Sequence, residues 1–204
     1  MAAFERALEL GADAIELDVH ATADGRIVVH HDPVVGPDML LIASTPVDKV
    51  QAAGARSGIA IPFLEDVMDL ARGTARLYVE VKGAGMAALV AGILEADADW
   101  CAVHSFDHRV ATVIREVEPG IPTGILSSSY VLDPAGALLA TGARDYWQHG
   151  ALIDTDLVEA IHSAGGRVVC WTVNDPAFMQ RLRRMGVDGL CTDVPGEARA
   201  ALAP

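Results

Sequence analysis

The chain has 204 residues, 51% of them hydrophobic, and carries 28 acidic side chains against 15 basic ones for a formal net charge of -13. That balance excludes a nucleic-acid-binding surface, which needs a basic footprint. It leaves room for a small anionic substrate, because one bound cation reverses the field inside a cleft.

The length suits one domain, residues 1–204, with a large core. Residues 2–10 set Ala3, Phe4, Ala7 and Leu8 at helical spacing, and Gly11 follows where a helix would stop. Met1 leads straight into this amphipathic pattern with Glu5, Arg6 and Glu9, unlike a signal peptide. No uninterrupted apolar run is long enough to span a membrane, so a cytoplasmic protein without stable membrane insertion is expected. Residues 14–20 alternate as a strand, Asp24-Gly25 marks a turn, and Ile27–Val29 then folds back as a hairpin-like extension.

Residues 33–60 carry scattered Pro and Gly and read as irregular, with a short helix near 47–53. A helix over 63–72 is followed by a strand over 77–83. From there helices and strands alternate. Helices are expected over 86–96, 108–117, 134–142, 156–164, 176–185 and 197–202, and strands over 100–106, 123–127, 145–149, 167–173 and 189–192. Alternation on this scale means parallel βαβ units. It predicts an α/β fold with seven parallel strands plus the hairpin extension, and polar residues at the strand C-terminal ends point to a TIM (β/α)8-type barrel. Seven is one strand short of that barrel. No GxGxxG opens a helix after a strand, so a dinucleotide site is unsupported. The three cysteines, Cys101, Cys170 and Cys191, lie in apolar strand segments without CxxC spacing and read as reduced core thiols.

In a strand, residues two apart share a face. Glu16 and Asp18 therefore point one way, and Tyr78, Glu80 and Lys82 share a face of their own strand. Buried carboxylates are costly unless paired or bound to a metal. Three at strand ends in adjacent units call for a hard divalent cation, Mg2+ or Ca2+, rather than zinc. Lys82, one of only two lysines, is placed to hold a phosphate oxygen. His31, just after the hairpin extension, suits a general acid or base. Trp171 is either core or an apolar wall against a substrate. His104 and His149 read as packing or orienting residues; His20, His108 and His162 read as solvent residues.

These motifs resemble the glycerophosphodiester phosphodiesterase family. The matching stretches are AAFERALELGADAIELDVHATADGRIVVHHDP, IPFLEDVMDLA, LYVEVKG, Ser105-Phe106, VVCWTVND and GVDGLCTDVPG, in the family's order over nearly the whole chain. The resemblance implies a (β/α)8 barrel and metal-dependent hydrolysis of a small glycerophosphodiester to sn-glycerol 3-phosphate and an alcohol. It implies that Glu16, Asp18 and Glu80 bind one divalent cation, that His31 is one of two catalytic histidines, and that Lys82 contacts the phosphate. In that family a strand with His-Arg-Gly precedes the helix with which this sequence opens. The expectation is therefore an N-terminally truncated barrel lacking that first strand, with its histidine and arginine. The alternative expectation is a barrel remnant that binds metal or phosphodiester without turnover. A family Arg-Thr-Thr pattern after His31-Asp32 is replaced here by Gly36-Pro37-Asp38-Met39.

Overall fold

The computed structural model describes residues 1–203. Its main sheet has eight strands. β1 (Ala14–Ala21) carries the antiparallel β2 (Ile27–Val29) on one side and the parallel β5 (Arg76–Val81) on the other. Then follow, all parallel, β6 (Cys101–Ser105), β7 (Thr123–Ser127), β8 (Asp145–His149), β9 (Arg167–Trp171) and β10 (Gly189–Leu190). The expected seven parallel strands and hairpin extension are all present, in a sheet that curls as an open barrel. Helices α1 (Ala2–Glu9), α3 (Leu64–Ala71), α4 (Ala87–Leu94), α5 (Arg109–Val117), α6 (Pro134–Thr141), α7 (Thr155–Ser163), α8 (Pro176–Met185) and α9 (Pro195–Leu202) accompany the strands.

Strand alternation explains the layering. On β1 and β5, Ile15, Leu17, Val19, Leu77, Val79 and Val81 meet Leu64, Val67, Val90 and Leu94 of the helices. The opposite faces fill the barrel interior with Tyr78, Ala102, Leu126, Trp147 and Val169. Two helices begin on matched signals: Asp133 and Asp175 accept from the Gly136 and Phe178 amides, and Pro134 and Pro176 stand in the first turn. All three cysteines are free, and burial pushes each thiol up to about 12.

Two segments differ from the sequence reading. Residues 33–60 are more ordered than expected. Val34–Val35 (β3) pairs with Leu40–Leu41 (β4), and Val47–Arg56 forms α2, longer than the helix predicted. Val28, Val35, Ile42, Val50, Ala53 and Ile61 bury one another there as a separate small core. Two-residue strands are too short to show a period, so the pairing is invisible in the pattern. Beyond β10 the backbone still pairs through Cys191, which donates to the Cys170 carbonyl and accepts from the Val173 amide, and a side chain then takes over. Asn174 Oδ1 accepts from the Asp193 amide at 2.9 Å and from Thr192 Oγ1 at 3.0 Å.

Among the described residues, β1 and β10 do not pair. Between them runs a cavity of about 1270 Å3 that reaches from the barrel interior at Glu16, Tyr78 and Trp147 to α1 and α9.

Candidate active site

Parallel register brings the acidic residues together. Asp18 of β1 lies level with Glu80 of β5, and Glu80 lies level with His104 of β6. Glu16 is two residues below Asp18 on the same face. Lys82, one residue past β5, folds back between two carboxylates: its Nζ is 3.0 Å from Asp18 Oδ1 and 2.6 Å from Glu80 Oε1. Glu80 is only 8% exposed and Lys82 19%. Burial pushes the Glu80 carboxyl above its ordinary value, with the Lys82 ammonium opposing. Burial also works against the Lys82 charge, but its bonds to Glu80 and Asp18 outweigh that and leave its pKa raised. The lysine is therefore a fixed ammonium at neutral pH.

His104 lies on the other side of the cluster. Its side chain is 1% exposed, and Nε2 is 3.2 Å from Glu16 Oε1. Its ring stacks on Trp147 with centroids 4.3 Å apart and planes 6° apart, while Tyr78 meets it edge-on. Gly124 of β7 makes this stack possible. A Cβ there would stand 3.0 Å from Trp147 Nε1 and 3.2 Å from His104 Cβ, so any larger residue would push against the stack that meets across this strand.

The donor set suits a cation. Glu16, Asp18 and Glu80 bring three negative charges against the one ammonium of Lys82, a deficit that a divalent ion would balance. Donor atoms of Glu16, Glu80 and His104 lie within 4.8 Å of one another. Asp18 is not part of that converging group; its carboxylate holds Lys82.

The other sequence-predicted residues stand apart. His31 lies in the loop after β2, 75% exposed, with Nδ1 2.9 Å from its neighbour Asp32. The loop is tied to the site strand: the His30 amide donates to the Asp18 carbonyl at 3.0 Å. His20 Nε2 donates to the His31 carbonyl at 3.2 Å. His20 is buried, against expectation, because it continues the inward parity of Glu16 and Asp18. Burial holds it below the ordinary imidazole range and therefore neutral at pH 7. Trp171 ends β9 and meets Phe106 and His149 edge-to-face, with centroids 5.4 and 5.1 Å apart.

His104, expected to pack or orient, is buried and stacked on Trp147 beside Glu16, and Trp147 and Gly124, which the sequence did not single out, shape that place.

A curled parallel sheet with acidic and basic side chains gathered at its strand C-terminal ends is the arrangement of a barrel enzyme. The family model described as "Glycerophosphoryl diester phosphodiesterase family" matches residues 1–84 and, in a second match, 49–197. The glycerophosphodiester phosphodiesterase of Caldanaerobacter subterraneus subsp. tengcongensis is 30% identical over 96% of this chain and 88% of its own length. The Bacillus subtilis protein YqiK, itself uncharacterized, is 30% identical over 99% and 91%. Among solved structures, a glycerophosphodiester phosphodiesterase from Parabacteroides distasonis superposes with a TM-score of 0.85 at 27% identity, covering 96% of this chain and 86% of that one. An Oleispira antarctica phosphodiesterase, solved with its product sn-glycerol-3-phosphate, shares the fold at a TM-score of 0.87 and 22% identity, over 100% and 90%. This chain belongs to the glycerophosphoryl diester phosphodiesterase family. It is thus a phosphodiesterase by family, and no helix among its described residues is long and apolar enough to cross a membrane.

Proposed function

We propose that the chain hydrolyses a glycerophosphodiester to sn-glycerol 3-phosphate and an alcohol, using one divalent cation, Mg2+ or Ca2+, held by Glu16, Asp18 and Glu80. The observation that carries this reading is the Asp18–Lys82–Glu80 ion-paired row beside Glu16, at the strand ends of a family barrel. When bound, the cation supplies charge stabilisation to the phosphoryl oxygens. Lys82 offers an ammonium to a phosphate oxygen without needing to gain a proton. His31, exposed on the loop after β2, moves a proton at the attacking or the leaving oxygen. Asp32 holds the His31 Nδ1 and so favours Nε2 as the working nitrogen. Trp171, with Phe106, offers an apolar wall to the substrate.

A second reading is binding without turnover. It is favoured by the seam between β1 and β10, which do not pair among the described residues and leave the barrel open beside Glu16. One experiment separates the two. The purified chain is incubated with glycerophosphocholine and Mg2+ or Ca2+, and glycerol 3-phosphate release is followed enzymatically. Release that stops with EDTA, returns with cation and is lost in Glu80→Gln supports hydrolysis. Cation binding by calorimetry without release supports the second reading. Neither binding nor release defeats both.

A further inference from the structure

We propose that His104 is a nitrogen donor to the divalent cation, and that it turns the preference of the site toward a transition ion such as Mn2+ over Ca2+. This rests on the cation reading above and departs from an all-carboxylate ligand set. Four observations support it.

First, the side chains that converge are not the three carboxylates. Lys82 engages both Asp18 and Glu80, and it is the donors of Glu16, Glu80 and His104 that gather within 4.8 Å. Second, the spacing is right. Two donors at right angles, each about 2.1 Å from one ion, lie about 3 Å apart, and His104 Nε2 is 3.2 Å from Glu16 Oε1. Third, the ring is wholly buried, yet its Nδ1 has no hydrogen-bond partner among the described residues. A buried histidine kept for packing normally satisfies both nitrogens. This one meets a polar group only through Nε2, at Glu16 Oε1, and a cation in that place would take the Nε2 lone pair with the ring proton carried on Nδ1. Fourth, the direction of Nε2 is set by stacking. The Trp147 indole lies against one ring face, in the gap that Gly124 provides.

The chemical consequence follows from ligand type. Ca2+ takes oxygen ligands in a large, flexible shell. An imidazole nitrogen favours first-row transition ions.

The test uses the purified chain and Mn2+. Binding is followed by loss of the free Mn2+ electron paramagnetic resonance signal, and ligation by electron spin-echo modulation from directly bonded nitrogen. The expected result is nitrogen modulation in the wild type that changes on labelling histidine with nitrogen-15 and is absent in His104→Gln. That variant should lose about 10- to 100-fold in Mn2+ affinity, with Ca2+ affinity by calorimetry nearly unchanged. Mn2+ bound without histidine modulation overturns the inference and leaves the cation reading standing. So does equal weakening of Mn2+ and Ca2+ in His104→Gln, which would make His104 only an orienter of Glu16. A wild type that binds neither Mn2+, Mg2+ nor Ca2+ overturns both. Should His104→Gln fail to fold, the isotope label in the wild type decides alone.

Discussion

Lys82→Met tests whether the ammonium is what holds the acidic row together. The substitution keeps the apolar stem and removes the charge that sits 3.0 Å from Asp18 Oδ1 and 2.6 Å from Glu80 Oε1. Charge-assisted hydrogen bonds contribute about 1.5–3 kcal/mol each, so the two bonds bound the loss at about 6 kcal/mol. Two effects reduce it. Asp18 is partly exposed, so water recovers some of its solvation. Glu80 can escape the unpaired charge by taking up a proton. A net cost of about 2–4 kcal/mol remains in the absence of metal.

The same substitution has two further signatures. Cation affinity rises, by about tenfold or more, because a competing positive charge has gone. The stability of the variant also acquires a pH slope. Glu80 already has a raised pKa from burial, with Lys82 as the opposing influence. Without Lys82 it rises further above the unfolded value, and the folded state then binds more protons than the unfolded state between the two values. Stability therefore falls as pH rises through that window, so Lys82→Met is destabilised more at about pH 8 than at about pH 5. Urea denaturation in EDTA and in excess Mg2+, at both pH values, measures all three effects. A variant within about 0.5 kcal/mol of wild type in EDTA, with no pH slope and no gain in cation affinity, would refute the ion-paired row.

Other positions give independent tests. Gly124→Val should cost about 1–3 kcal/mol as an overpacked site and disturb the Trp147 near-ultraviolet circular dichroism, since even a Cβ there crowds the Trp147 ring and the His104 Cβ; an unchanged spectrum and stability would show that the stack is not confined by β7. Arg144→Ala should destabilise the fold by about 3 kcal/mol, because Asp145 is 1% exposed and accepts from Arg144 at 3.0 and 2.6 Å, while Arg167 at 3.8 Å compensates only in part. Asp97 is held below the usual carboxylate range by the Arg72 guanidinium, with Trp100 Nε1 adding a bond at 2.9 Å. Its stabilisation is present above the ordinary aspartate value and is lost as pH falls through its lowered one, so Asp97→Asn should flatten the acid side of a thermal-stability profile.

The fold was legible because the chain repeats one simple instruction. Each parallel strand is a short apolar run ended by Gly or by a polar residue, and the register between neighbours is set by side-chain parity, a property of the local sequence. The order of β5 to β9 follows from chain order once crossovers keep one hand. The carboxylate–lysine row was legible for the same reason. Glu16 and Asp18 lie two apart, Glu80 and Lys82 lie two apart, and adjacent parallel strands put the pairs side by side.

What escaped was set by contacts between distant residues that leave no local period. The hairpin of β3 and β4 forms because Val35 and Ile42 find Val28 and Val50, a small core spread over several separate segments. The role of His104 needs Glu16, 88 residues earlier, and Trp147, 43 residues later, with Gly124 absent as a side chain between them. A histidine on an apolar strand reads as packing when only its own strand is considered. Its place beside the acidic row becomes visible only when register sets it level with Glu80. For parallel barrels, then, a polar residue is best judged against the inward residues of its two neighbouring strands. By that rule His104 and Trp147 belong with Glu16 and Tyr78 in the barrel interior, while His31 stands on an exposed loop outside it.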